Sequence, residues 1–233
     1  MKNLNYPKHI AVIPDGNRTW AKEKWFEPFV GHLEGFNRIV ELGKYIFEQT
    51  PIKVYTAWGL STENLKNRSE QELNYLFELY KKIWNDMFDI LKKNKVNFRV
   101  AWNINELPQH LQDFLNQKIK ELSFDSDKYM FLALNYGWQD EILRAIKKTE
   151  QNNEELSKEN IEKNMDFGMV PPVELVIRTK QKLAQRLSWF MLWWIGYAQL
   201  YFTEKYFPAF NIDELEKALI WYSSTIKTQN YWK

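Results

Sequence analysis

HIAVIPDGN, residues 9–17, decides how this chain is read. His9 to Pro14 form a short apolar run rich in β-branched residues, as in a strand covered on both faces. Asp15-Gly16-Asn17 then signals a turn, and a helical stretch follows. Working outward, similar strand runs are expected at 52–57 (IKVYTA), 97–102 (NFRVAW), 129–134 (YMFLAL) and 173–177 (VELVI). After Ser69, apolar residues recur at three- and four-residue spacing from Leu73 to Leu91, which predicts a long amphipathic helix. Ser69 and Glu72 fit a capping box at its start. Further helices are predicted over 108–121, 138–150 and 186–200. Strands alternating with helices give an α/β class with a mainly parallel sheet. The polar stretch 149–165 is expected to be a mobile surface segment. No repeat or linker divides the chain, so residues 1–233 are expected to form one domain.

Composition narrows the function. The chain has 233 residues, 45% apolar and 27% charged, which excludes a disordered, collagen-like or polytopic membrane protein. There are no cysteines, so disulfides, thiolate metal sites and thiol nucleophiles are excluded. Lys plus Arg is 32 against 30 Asp plus Glu, a balance that argues against a general nucleic-acid binder. The aromatic share of 16%, with 11 Trp, exceeds what composition alone explains. It points either to a large apolar cavity or to bulk packing. Trp189 to Phe202 is the most apolar stretch, too short for the ~20 residues of a membrane span, and is read as a buried helix. With no signal-peptide pattern at the start, the expected location is the cytosol.

Ligands of an open parallel sheet bind beyond the carboxyl ends of its strands. Asp15, Gly16, Asn17 and Arg18 follow the first predicted strand, and Ser61, Thr62, Glu63 and Asn64 the second. Arg178, Thr179, Lys180, Lys182, Arg186 and Ser188 follow the 173–177 strand. One carboxylate, several amides and hydroxyls, and a group of cations therefore converge on one rim. That set suits an anionic ligand held by arginines, with an aspartate for a hard divalent cation. Taken singly, each piece also has a plain reading as a turn, a helix cap or a solvated face.

Five ordered stretches, running from about residue 9 to 210, resemble the cis-prenyltransferase family, the undecaprenyl diphosphate synthases. They are HIAVIPDGNRTWAKE, GHLEGFNRI, YTAWGLSTEN, LNYGWQDEI and VIRTKQKLAQRLSWFMLWWIGYAQLYFTEKYFPAF. The resemblance implies a mostly parallel sheet of about six strands flanked by helices, and a homodimer. It implies an enzyme that condenses isopentenyl diphosphate onto farnesyl diphosphate with Mg²⁺ as cofactor. The product implied is a medium-chain polyprenyl diphosphate such as undecaprenyl diphosphate, a lipid carrier for cell-wall synthesis. Peripheral membrane contact at most is implied, and no nucleic acid.

Carried onto this sequence, the resemblance makes Asp15 the metal-linked catalytic aspartate and Asn64 its catalytic companion. Gly16, Asn17, Arg18 and His32 would hold the allylic diphosphate. Trp20 and Trp58 would border the lipid site, with a wall from Leu73, Leu76, Phe77, Tyr80, Ile83 and Trp84. Ser61, Thr62, Glu63 and Arg68 would complete the substrate site. Arg178, Arg186 and Ser188 would bind isopentenyl diphosphate. The chain also departs from the family pattern. Arg18 stands one place earlier than the family arginine, Pro28 replaces an arginine, and KQKLAQ is two residues longer than its counterpart. A glutamate that helps the metal site is Gln199 here. Two further readings therefore stand beside the first: a short-chain or irregular prenyl coupling enzyme, and a non-catalytic partner subunit.

Overall fold

The computed structural model describes residues 4–61, 70–102, 107–180 and 185–229. Six strands form one all-parallel sheet: β1 (His9–Ile13), β2 (Val54–Ser61), β3 (Asn97–Trp102), β4 (Tyr129–Tyr136), β5 (Leu175–Arg178) and β6 (Gln199–Phe202), in spatial order β3-β4-β2-β1-β5-β6. The helices are α1 (Asn17–Glu23), α2 (Pro28–Gln49), α3 (Glu70–Lys93), α4 (Gln109–Glu121), α5 (Trp138–Gln151), α6 (Lys158–Asn164) and α7 (Ile212–Gln229).

The apolar run that starts the reading lies near the middle of the sheet, and all five residues of β1 are buried. Ile10 and Val12 face one core, built mainly with α2, α3, α4 and α7; Ala11 and Ile13 face a second, which includes Phe167, Phe190 and Trp194. Alternation within an unbroken apolar strand is the signature of a sheet covered on both sides. Truncating a residue such as Ile10 would cost about 2–5 kcal/mol through lost transfer energy and the cavity left behind.

His9 is fully buried at the amino end of β1. Nδ1 lies 2.8 Å from the Pro171 carbonyl, and Nε2 lies 2.8 Å from Thr56 Oγ1. Burial lowers its pKa from 6.5 to about 4, so the ring is neutral in the folded protein.

The sequence misplaced two segments. The helix expected over 186–200 does not form: the chain runs through turns and then enters β6. Ser188, Trp189 and Met191 have φ of 48°, 69° and 49°, left-handed values that a right-handed helix cannot contain. Nor is the stretch wholly buried. Phe190, Met191, Trp194 and Ile195 are interior, whereas Trp189, Leu192 and Tyr197 are exposed. The polar stretch 149–165 is built rather than irregular. It forms the end of α5 and then α6, whose first turn Ser157 caps by accepting from the Asn160 N–H. Asn164 is buried there and donates to Thr149 and Glu154. The 69–93 helix forms as α3; Ser69 itself lies outside the described residues.

Candidate active site

The last residues of β1 and β5, Ile13 and Arg178, are register partners, so both chains reach the rim side by side. Asp15 follows immediately and its main chain is held from three directions. Its N–H donates to Thr179 Oγ1 at 2.8 Å, its carbonyl accepts from that hydroxyl at 2.7 Å, and it also accepts from the Phe207 N–H at 3.1 Å. Arg178 Nη2 donates to Asp15 Oδ2 at 3.0 Å. Nη1 donates to the Arg186 carbonyl at 2.7 Å and to Ser188 Oγ at 2.8 Å. The Arg178 side chain is 7% exposed and that of Asp15 is 35% exposed, so the carboxylate still meets solvent while its partner does not.

Gly16 sits at φ 101°, in the left-handed region. A Cβ there would also lie 2.6 Å from the Tyr206 ring, so glycine is required twice over. Asn17 then opens α1 and packs against α2. A Cβ on Gly35 would stand 2.7–2.9 Å from the Asn17 amide atoms, and one on Gly31 would fall on the Asn17 carbonyl oxygen. The two glycines of GHLEG therefore clear a notch in α2 for this one residue. Asn17 Oδ1 is buried without a hydrogen-bond partner, an acceptor whose desolvation is not offset within the protein.

These groups line a pocket of about 280 Å³. Asp15, Gly16, Asn17, Arg18, His32, Trp58, Arg178 and Ser188, all expected at the site, are among its lining residues. Phe36, Ile39, Leu60, Leu76 and Phe207 supply an apolar side. Trp58 stacks on Phe190 with ring centroids 4.9 Å apart. Next to it, the β2–β4 pairing shifts register around Leu60 and brings Gly59 and Leu60 to the pocket.

Other expected residues are placed differently. Trp20 does not line the pocket. Its ring packs against Phe26 at 6.1 Å, with Lys24 Nζ 4.7 Å above it. Arg186 is exposed and enters the site through its backbone carbonyl. Gln199 opens β6 in register with Leu175, whereas Phe202 pairs with Arg178 at the rim. It therefore sits near the opposite end of its strand and does not line the pocket. Thr62, Glu63, Asn64, Arg68 and Lys182 lie outside the described residues, as do the side chains of Ser61, Tyr80, Ile83 and Trp84. Phe77 is buried in the core and Leu73 packs against it, so of the expected wall Leu76 reaches the pocket.

Two residues to which the sequence assigned no role support the site. Thr179 fixes Asp15 as described; its signal was its place directly after Arg178. Glu141, within LNYGWQDEI, is fully buried behind the rim. It accepts from Tyr136 Oη at 2.5 Å, the Asp166 N–H at 3.0 Å and Trp194 Nε1 at 3.3 Å. Burial first, then the negative charge of Asp166, raises its pKa from 4.5 to about 7. Through Trp194, and through the Trp138 N–H bonded to the Trp189 carbonyl at 3.2 Å, α5 braces the segment that carries Ser188.

Among the described residues, no group of three or more His, Cys, Asp or Glu could cage a metal ion. One carboxylate at the rim fits a different arrangement, in which a Mg²⁺ ion takes one protein carboxylate and completes its shell with substrate phosphate oxygens and water. Asp15 suits that role because its carboxylate is partly exposed.

The protein is thus a parallel α/β protein whose carboxyl-end pocket joins a carboxylate and cations to an apolar wall, a set that suits a ligand with an anionic head and an apolar body. The chain is a member of the undecaprenyl diphosphate synthase family of prenyltransferases. The family model described as "Putative undecaprenyl diphosphate synthase" matches residues 13–229. An isoprenyl transferase of Treponema denticola is 37% identical over 215 residues, covering 91% of this chain and 92% of that protein. A tritrans,polycis-undecaprenyl-diphosphate synthase (geranylgeranyl-diphosphate specific) of Thermoplasma volcanium is 32% identical and covers 95% of this chain and 88% of its own length. Among solved structures, lavandulyl diphosphate synthase from Lavandula x intermedia, in complex with dimethylallyl diphosphate, superposes with a TM-score of 0.84. It is 28% identical and covers 94% of this chain and 95% of that one. A probable undecaprenyl diphosphate synthase from Campylobacter jejuni gives 0.75 at 28% identity, covering 95% and 96%. The protein is accordingly a prenyl-transferring enzyme of the cis-prenyltransferase type. No helix among the described residues is long and apolar enough to cross a membrane.

Proposed function

We propose that this enzyme condenses isopentenyl diphosphate onto an allylic diphosphate, farnesyl diphosphate in the first instance, to make a medium-chain polyprenyl diphosphate such as the undecaprenyl carrier of cell-wall sugars. The observation that carries this reading is the junction of Asp15, Arg178 and Ser188 with an apolar wall in one pocket. In each cycle the allylic C–O bond breaks, and the pair of electrons leaves with the diphosphate. A new C–C bond joins the allylic carbon to the isopentenyl double bond, and a proton is lost to set a cis double bond.

The protein's part is to stabilise charge as it appears on the departing diphosphate. Preorganised donors do this best where water is sparse, at about 3–4 kcal/mol per well-placed donor. Arg18 on one side and the Arg178–Ser188 pair on the other face the two diphosphates. Arg178 is held by Asp15 and the Arg186 carbonyl, so it loses little freedom when a phosphate arrives. Asn17, seated in its notch, keeps an acceptor at the same place. Asn64 and Ser61 are assigned to the reacting ends by resemblance to the family. A bound Mg²⁺, held by Asp15, would supply further neutralisation of the phosphate oxygens. The prenyl tail runs along Phe36, Ile39, Leu60 and Leu76, each buried CH₂ contributing about 0.8 kcal/mol. We further propose one domain over the whole chain, a homodimer, and at most peripheral contact with membranes.

Purified protein supplied with farnesyl diphosphate, labelled isopentenyl diphosphate and Mg²⁺ should yield longer prenyl diphosphates on chromatography. Total absence of chain extension overturns the reading. One observation favours a second version: the higher TM-score of 0.84 belongs to lavandulyl diphosphate synthase. A product ceiling at one or two condensations, or preference for a shorter primer, would select that version. Asp15 counts against a non-catalytic partner subunit, which has no need of that carboxylate.

A further inference from the structure

Arg178 cannot give its whole fork to a substrate, because Nη2 is bonded to Asp15 and Nη1 to Arg186 and Ser188. Among the described lining residues, the other cations are Arg18 and Lys180. Lys180 is held in an unusual way. Its φ is 58°, a left-handed value that costs a non-glycine residue about 1–2 kcal/mol. The backbone is fixed there from both sides. The Lys180 N–H donates to the Lys205 carbonyl at 2.8 Å, and Thr179 Oγ1 is bonded to Asp15. Its Cβ borders Gly16, 3.2 Å from where a Cβ on that glycine would lie. Strain that neighbours hold in place at a site is a pointer to use rather than to stability.

Resting on the proposed function, we infer that Lys180 is a diphosphate-binding residue, acting on the allylic diphosphate seated beside Asp15, Gly16 and Arg18. The strained backbone fixes Lys180 in the pocket lining with its Cβ beside Gly16, and the flexible stem beyond that Cβ is long enough to bring an ammonium to a phosphate on that side. A compact, multiply donating cation suits phosphate oxygens that do not present one fixed plane.

The test compares Lys180→Ala, Lys180→Arg and Lys180→Gly. Glycine keeps the left-handed backbone without strain and removes the whole side chain with its charge, so a folded, chargeless site is available even if alanine disturbs the chain. Lys180→Gly should raise KM for farnesyl diphosphate ~10-fold, as expected for losing one charge-assisted hydrogen bond at a solvated site, with kcat and the KM for isopentenyl diphosphate changed less than about 3-fold. Lys180→Arg should recover most of the loss. Titration with inorganic pyrophosphate, followed by calorimetry, should show the same order without any turnover. Unchanged KM and unchanged pyrophosphate affinity in both Lys180→Gly and Lys180→Ala would overturn the inference. So would equal damage in Lys180→Arg and Lys180→Ala, which would assign the residue to backbone geometry instead. A wild-type protein that extends no prenyl chain but binds pyrophosphate in a Lys180-dependent way loses the proposed function and keeps the anion site.

Discussion

The two ends of the sheet are built on opposite principles. At the amino end, His9 is sealed between Pro171 and Thr56 and kept neutral. At the carboxyl end, charges are retained and the backbone is strained. Asn135, Lys180, Ser188, Trp189 and Met191 all have positive φ, and all lie at or beyond the ends of β4 and β5; Gly16 follows β1 at 101°. The other described non-glycine residues with positive φ, Trp25, Lys95 and Asn153, lie just past the ends of α1, α3 and α5, where left-handed residues commonly end helices. The difference teaches where the molecule spends stability. One end closes the core, and the other holds costly conformations that place Asp15, Lys180 and Ser188.

Four experiments press on that contrast, taken from the largest expected effect to the smallest. On the role proposed for Asp15, Asp15→Ala should lower kcat by ~10³-fold while far-ultraviolet circular dichroism stays native, with some stability lost because the nearly buried Arg178 gives up its carboxylate partner. Near-normal turnover would remove Asp15 from the chemistry.

Next come two buried ionisable groups, one at each end, with opposite signs. The unfolded chain protonates His9 near pH 6.5 and the folded protein only near 4, so stability falls as pH drops through that window, by about 3 kcal/mol in all. The folded protein keeps Glu141 protonated up to about pH 7, whereas the unfolded chain ionises it near 4.5. Stability therefore falls as pH rises through that window, again by about 3 kcal/mol. The slopes oppose each other, and the wild type should be nearly level between pH 4.5 and 6.5. Glu141→Gln should leave stability rising with pH, and His9→Gln should leave it falling, as read from urea midpoints. Level profiles in both variants would refute the pairing.

A smaller effect is expected from Gly35→Ala. The new Cβ displaces the Asn17 amide, which can swing away, so activity should fall ~10-fold with under about 1.5 kcal/mol lost in stability. Gly31→Ala strikes the Asn17 backbone instead and should cost more stability than its neighbour. Equal losses in the two would mean the notch has no special relation to the amide. Finally, Gln199→Glu should leave the Mg²⁺ dependence of the rate unchanged within about 2-fold, a change too small to mean a new metal ligand. A marked gain in Mg²⁺ affinity would bring that side chain to a metal after all, from a neighbouring copy of the chain.

Much of this was legible in sequence because its cause is local. A short unbroken apolar run bounded by turn signals, such as HIAVI, fits a strand between two layers, and residues after such runs fall on one rim. Contacts between distant residues were not legible. Asp15 and Arg178 were each read as facing substrate, yet they bond to each other across 163 positions. The glycines of GHLEG were recognised as a motif, while their purpose, room for Asn17, depends on how two helices meet. The 186–200 segment misled because Trp, Phe and Leu at that density look like a buried helix. Three left-handed residues there are fixed by tertiary contacts, and no residue type announced them.

The notch in α2 has a consequence far from the rim. That helix is 22 residues long, about 33 Å, and its other end lies in the core with Leu42, Ile46 and Phe47. A small roll of the rod about its axis would swing Gly35 aside and bring a larger side chain against the amide. On the role proposed for Asn17, turnover would therefore register how the distant half of the rod is seated. Variants that loosen that half should dull turnover before they melt the protein.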